Sequence, residues 1–260
     1  MTEPSSLKQR ARVLSDDEFA QIPWVTSLTA DEREHVRQDM LVTIAEPGDY
    51  VVRIGRPVTY WFGLIEGLLK MSNDDSRGSA ITFTGIAPGG WFGEGTVLKR
   101  EPYRYNIQAL RTSRLAGIST EMFDWLIGHS LGFNRFVMLQ LNERLGQFIA
   151  AREIDRMASP DLRVARNLAA MFEPKLYPGV AEMLRITQQE LAYLVGLSRQ
   201  RVNEALRTLA AHGWIRVEYG GLRVLDLNAL RYGELNAPVS GDLSAYDKRQ
   251  PASAFFLILI

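Results

Sequence analysis

A chain of 260 residues with no net formal charge and no cysteine excludes several classes at once. It is long enough for two domains, but without cysteine it makes no disulfide, no thiolate-held iron–sulfur cluster and no cysteine redox switch. Any contact with nucleic acid must come from a local basic patch, and no stretch reads as a secretory leader or a membrane-length apolar run.

Residues 1–20 are polar and charged and are expected to be flexible. Ile22-Pro23-Trp24 and Leu28 to Val42 read as short helices, the second starting at Thr29-Ala30-Asp31-Glu32. From Leu41 to Ile118 the pattern changes to short apolar runs such as Tyr50-Val51-Val52, Trp61-Phe62-Gly63-Leu64-Ile65 and Ile81-Thr82-Phe83, cut by recurrent glycine. Regularly spaced short strands with turn signals predict an all-β sandwich or barrel. Leu131 to Met157 then reads as one long helix. Met138, Leu141, Leu145 and Phe148 recur along it at three- and four-residue spacing, a narrow seam of coiled-coil type. A stripe that narrow favours a contact between subunits over packing on the chain's own β domain. Ser159-Pro160-Asp161 makes a boundary, with an N-cap serine and proline at the first helical position. Leu162, Ala165, Leu168, Ala169 and Phe172 line one face of the helix that follows.

Ile186 to Ala211 carries two helix starts separated by a glycine. Thr187 with Glu190 is a capping box, Leu191, Leu194 and Val195 give the first helix an apolar face, and Gly196 stops it. Ser198 caps a second helix, which turns Val202, Ala205, Leu206 and Leu209 inward. Arg199, Gln200, Arg201, Asn203, Glu204 and Arg207 are left outward. Gly213 to Glu218 and Leu222 to Leu225, around Tyr219-Gly220-Gly221, read as a β-hairpin. A helix-turn-helix followed by a hairpin is a winged helix, and arginine and amides at the start of its second helix can address guanine and adenine edges. Arg185, Arg199, Arg201, Arg207, Arg216 and Arg223 outnumber Glu190, Glu204 and Glu218 here, so the local charge is positive. The chain ends in Phe255-Phe256-Leu257-Ile258-Leu259-Ile260, too short an apolar run to span a bilayer.

Ile186-Thr187-Gln188-Gln189-Glu190-Leu191 with Val195-Gly196-Leu197-Ser198-Arg199 resembles the DNA-binding signature of the Crp/Fnr family of bacterial transcription regulators. Glu46-Pro47-Gly48-Asp49-Tyr50, Ile65-Glu66-Gly67 and Gly90-Trp91-Phe92-Gly93-Glu94 resemble the same family's cyclic-nucleotide-binding β-roll, so the likeness runs from about Ile22 to Tyr232. The resemblance implies an α+β fold with four parts. These are an N-terminal β-roll (double-stranded β-helix, jelly-roll-like) over 21–130, a long central dimerisation helix over 131–158, a C-terminal winged helix-turn-helix over 159–232 and a tail over 233–260. It further implies a cytoplasmic homodimer acting on double-stranded DNA, with RNA polymerase as a further candidate partner, no cofactor, no metal and no membrane. The missing cysteines remove the family's oxygen-sensing cluster as the effector.

The resemblance also distributes roles. Arg199 is expected on a base edge, with Gln200 and Glu204 setting specificity. Thr187, Gln188, Ser198 and Arg201 complete the contact set, largely at phosphates, and Arg207 reaches the backbone. The family often carries arginine where Glu204 stands, so a different operator is expected. Gly93-Glu94-Gly95 followed by Arg104 resembles the phosphate-binding cassette, in which the glutamate takes the ribose hydroxyl and the arginine the cyclic phosphate. Tyr105 replaces the usual small hydroxyl residue, Asn106 the usual alanine, and Phe148 and Ile149 stand where base-contacting hydroxyls would fall. The expected effector is therefore not cyclic AMP but a small organic anion or aromatic acid at Gly93, Glu94, Arg104, Tyr105 and Phe148. A cyclic-nucleotide-responsive regulator, an effector-independent one, and a signalling module using the β-roll alone are the alternatives. A salt bridge or turn contact inside an inherited β-roll is the structural alternative for Glu94 and Arg104. No enzyme is expected, since His35, His129 and His212 lack metal-ligand spacing and no nucleophile elbow or phosphate loop is present. His129 is expected to cap or lie on the surface rather than ligate haem.

Overall fold

The computed structural model describes residues 10–74 and 80–235. Residues 10–20, expected to be flexible, instead carry β1 (Arg12–Val13) and α1 (Asp16–Ala20). Ser15 and Glu18 form a capping box, Phe19 is buried, and Arg12 donates to Glu18. That guanidinium, with the Ser15 backbone N–H and hydroxyl, holds the Glu18 carboxyl down at about 2 against its burial. Residues 1–9 and the tail beyond 235, including Phe255 to Ile260, lie outside the described residues.

A 3-10 turn (Pro23–Ser27) and α2 (Ala30–Asp39), opened by a Thr29–Glu32 capping box, lead into the β domain. Its strands are β2 (Leu41–Ala45), β3 (Tyr50–Val52), β4 (Tyr60–Glu66), β5 (Leu69–Asp74), β6 (Ala80–Ile86), β7 (Trp91–Phe92), β8 (Asn106–Ala109) and β9 (Ser113–Ser119), with α3 (Glu94–Lys99) between β7 and β8. One antiparallel sheet runs β1-β2-β9-β4-β7, the other β3-β8-β5-β6. Val52, Leu64, Leu69, Met71, Phe92, Ile107 and Leu115 fill the space between them. The two sheets close on this apolar layer, and β9, buried over Leu115–Ile118, is covered on both faces.

On the outer side of the first sheet, Trp24, Trp61, Trp91, Phe123 and Phe133 form a second, aromatic core. Trp24 stands edge-on to Trp91 at 5.2 Å and to Phe133 at 5.1 Å. Such side chains bury on the order of 150–250 Å² each, several kcal/mol apiece at ~25 cal/mol per Å². They pin α4 (Thr120–His129) and the start of α5 (Leu131–Ile154) to the sheet. Along α5, Phe133, Val137, Gln140 and Arg144 face inward, while Met138, Leu141, Leu145 and Ile149 are exposed. The expected seam is therefore open on this chain at Met138, Leu141 and Leu145. Phe148 departs from it, being partly buried against the chain's own core.

The C-terminal part comprises α6 (Pro160–Ala170), β10 (Met183–Leu184), α7 (Gln188–Val195), α8 (Arg199–Ala211), β11 (Ile215–Glu218), β12 (Gly221–Val224) and α9 (Leu227–Tyr232). β10 adds a third strand to the predicted hairpin, in the order β10-β12-β11. Ser159 caps α6, with Pro160 at its first position. This part is not a separate globule: Val164, Leu168, Leu191 and Leu206 belong to the same buried cluster as the β-sheet interior. Among the described residues no helix is long and apolar enough to cross a membrane.

Candidate nucleic-acid interface and effector cleft

α7 and α8 follow from local signals. Thr187 accepts from the Glu190 N–H, and the Glu190 carboxylate returns the bond to the Thr187 N–H at 2.7 Å. Gly196 takes φ +65°, a left-handed conformation that favours glycine, and so allows α8 to leave at an angle. Ser198 Oγ accepts from the Arg201 N–H. α8 buries Val202, Ala205, Leu206 and Leu209, which anchors one side and frees the other.

On the free side, Arg199, Gln200, Glu204 and Arg207 are exposed, as are Thr187 and Ser198 beside them. Among the described residues Arg199 and Arg207 make no ion pair, so their guanidinium groups are available to a ligand. Gln188 is half-buried and donates to Asn203 Oδ1 at 3.1 Å, tying α7 to α8. Arg201, expected on a phosphate, is instead held by Asp161 of α6 and by Glu204 at 3.4 Å. Arg216 and Tyr219 on the hairpin extend the exposed surface; hairpin-tip residues carry no periodic signal that singles them out in the sequence.

The cassette region is arranged differently. Gly93, at φ +93°, caps α3, and Glu94 is its first residue. Glu94 is buried and lies 3.5 Å from Arg144 Nε on α5, while Arg144 Nη2 donates to the Trp91 carbonyl at 2.7 Å. Burial works against the Arg144 charge, and Glu94, Tyr177 and Tyr105 outweigh it, so its pKa is raised. Tyr105 packs over this pair, and burial raises its phenol despite a hydrogen bond to Thr96. Arg104 is turned outward, with 76% of its side chain exposed, and pairs with Glu101 at 2.8 Å. Glu94 and Arg104, expected to hold an effector together, thus make separate ion pairs with Arg144 and Glu101, the arrangement of their structural alternative. The signal for Arg144 was present: a charged residue at an inward position of the central helix requires a buried partner.

A cleft of about 1250 Å³ lies between the β-roll, α5 and α7, with Glu94, Tyr105, Leu141 and Phe148 in its wall alongside Phe83 and Tyr193. The C-terminal part closes onto the β-roll around it. Tyr177 Oη donates to the Gly85 carbonyl at 3.0 Å, Thr82 Oγ1 donates to the Tyr193 carbonyl at 3.1 Å, and Arg111 pairs with Glu190. The approach is close at Gly85, where an added Cβ would stand 2.8 Å from Leu194 Cδ1 and that side chain would have to shift. His129 lies on the surface, its Nδ1 against the Trp125 carbonyl and its ring stacked on Trp125. Among the described residues no group of three His, Asp or Glu side chains is placed to hold a metal.

A two-sheet β-roll, a long helix and a winged helix-turn-helix with a free arginine-bearing face define a DNA-binding transcription regulator. Residues 43–130 match the cyclic nucleotide-binding domain family, and residues 162–232 match the Crp-like helix-turn-helix domain. The transcriptional regulator SdrP of Thermus thermophilus is 30% identical over 175 residues, 65% of this chain and 81% of that protein. The cAMP-activated global transcriptional regulator CRP of Haemophilus influenzae is 28% identical over 182 residues, 65% of this chain and 80% of its own. The solved structure of FixK2 from Bradyrhizobium japonicum has the same fold, with a TM-score of 0.60 at 17% identity over 76% of this chain and 98% of that one. The chain belongs to the Crp/Fnr family.

Proposed function

We propose that this regulator acts as a homodimer that reads a specific operator through α8 and does not answer to cyclic AMP. The reading rests above all on the contrast within one chain between a free α8 face and a cassette whose Glu94 and Arg104 already stand in ion pairs. For the dimer, the support is the row Met138, Leu141 and Leu145, exposed along α5 beside the buried stripe. Two copies joined there would set two α8 helices about one DNA turn apart, roughly 34–36 Å. Residues 21–130 serve as the effector-type domain, 131–158 as the dimer helix and 159–232 as the DNA-binding part, with RNA polymerase a further partner of the DNA-bound dimer.

On the effector side, Glu94 lies 3.5 Å from Arg144, Arg104 pairs with Glu101 at the surface, and Tyr105 stands in the cleft wall beside Gly93. The adjoining cleft has aromatic walls and basic residues such as Lys70 and Arg152, and it suits a small organic anion or aromatic acid. The similarity to a protein named cAMP-activated favours a second reading, a cyclic-nucleotide response, which would require Glu94 and Arg104 to leave Arg144 and Glu101 for the nucleotide. Selection of bound duplexes from a random library, followed by gel shift, tests the main reading. A two-fold symmetric site is the expected result. Failure to retain any duplex would overturn it in favour of a module that signals through the β-roll alone.

A further inference from the structure

Gln200 and Glu204 are four residues apart on α8, hence on one face. Gln200 Nε2 donates to Glu204 Oε1 at 3.3 Å, and Glu204 Oε2 accepts from Arg201 Nη1 at 3.4 Å. The other terminal nitrogen of Arg201 is engaged by Asp161, in the first turn of α6. Side-chain exposure falls along this row, from 48% at Glu204 through 30% at Arg201 to 20% at Asp161. It is anchored where two helices pack and ends on the exposed face.

Chemistry fixes which end of the Gln200 amide meets Glu204. A carboxylate shared with a guanidinium only accepts, so the amide turns its NH2 group toward it. One N–H is then used, and the second N–H and Oε1 remain. Together they form one acceptor and one donor side by side. In the major groove only adenine answers both, with its N6 amine and N7; guanine presents two acceptors, cytosine a donor, and thymine an acceptor with a methyl group.

We infer that Gln200 reads an adenine in each operator half-site, and that Glu204, Arg201 and Asp161 are positioning residues that hold its amide in the reading orientation. This rests on α8 being the DNA-reading helix, as proposed above. It assigns Arg201 to Gln200 rather than to a phosphate, and gives Glu204 a role without any base of its own.

The test is selection sequencing of the full chain and its variants on a random duplex library, with salt dependence and thermal unfolding recorded for each. The wild type is expected to favour adenine at one position per half-site by about tenfold or more. Gln200→Ala should erase that preference alone. Glu204→Ala should relax it about threefold or more while the base pair read by Arg199 keeps its preference. Arg201→Met should relax the same position and leave the salt slope unchanged, which a merely structural role would not do. An unaltered adenine preference in Glu204→Ala and Arg201→Met would overturn the inference. So would a salt slope reduced by about one charge in Arg201→Met with base preference intact. If the wild type selects no duplex at all, the DNA-reading assignment itself falls, and this inference with it.

Discussion

The α8 face and the phosphate-binding cassette both carry residues that match the family's motifs, yet the fold treats them in opposite ways. On α8, the buried stripe Val202, Ala205, Leu206 and Leu209 pushes Arg199 and Arg207 into solvent with no partner in an ion pair among the described residues. In the cassette, α5 supplies Arg144, which engages Glu94 from inside, while Arg104 leaves for Glu101 on the surface. A group with no competing ion pair is free to act on a ligand. Arg199 has none among the described residues, whereas Glu94 already faces Arg144 at 3.5 Å, with its Oε2 left without a hydrogen bond. Keeping a motif's residue types therefore says less about function than what the rest of the chain brings against them.

That contrast can be broken at several points. Leu145→Asp places a charge on the exposed seam of α5 and should produce the largest effect, converting a dimer into 29.3 kDa monomers with operator affinity reduced by about a hundredfold or more. Sedimentation showing an unchanged dimer would remove the seam from the account. Next comes the cassette. Glu94→Gln leaves Arg144 buried without its counter-charge and should cost about 3–5 kcal/mol of stability. Arg104→Ala, in the same motif, should leave the thermal midpoint unmoved, because its ion pair is at the surface. Equal midpoints for the two variants would mean that Glu94 is not committed to Arg144. Smaller still, Arg199→Ala should leave stability alone and cost ~1–3 kcal/mol of specific binding, relaxing one base pair per half-site. An equal loss on operator and random DNA, read by fluorescence anisotropy, would make Arg199 a backbone contact instead.

Legibility in the sequence follows the range of the interactions. The Thr187–Glu190 box, the Ser198 cap, the Gly196 turn and Ser159-Pro160 are local, and each is found where its residues predict. The strands of the β-roll and the long helix are equally readable from periodicity. The start of the chain is a local exception: the Ser15–Glu18 capping box and Arg12, six residues before Glu18, order it together with the pairing of β1 on β2. The other missed features depend on distant partners. Arg111 reaches Glu190 across 79 residues, and Tyr177 reaches Gly85 across 92, so the joining of the two parts leaves no local mark. The Arg201–Asp161 pair, over 40 residues, is of the same kind and underlies the positioning role proposed for Arg201. Arg144 is an intermediate case, since its inward position was readable but its partner was not.

The claim that the two regions diverge is tested most directly by isothermal titration of the 260-residue chain with cyclic AMP, with operator binding followed by anisotropy in the same samples. With Glu94 facing Arg144 and Arg104 paired with Glu101, no heat of binding is expected at tens of micromolar ligand, and the operator Kd should stay the same with and without nucleotide. Micromolar binding of cyclic AMP together with a gain of about tenfold or more in operator affinity would contradict the account, since a ligand shifts the protein only by binding its DNA-competent form better.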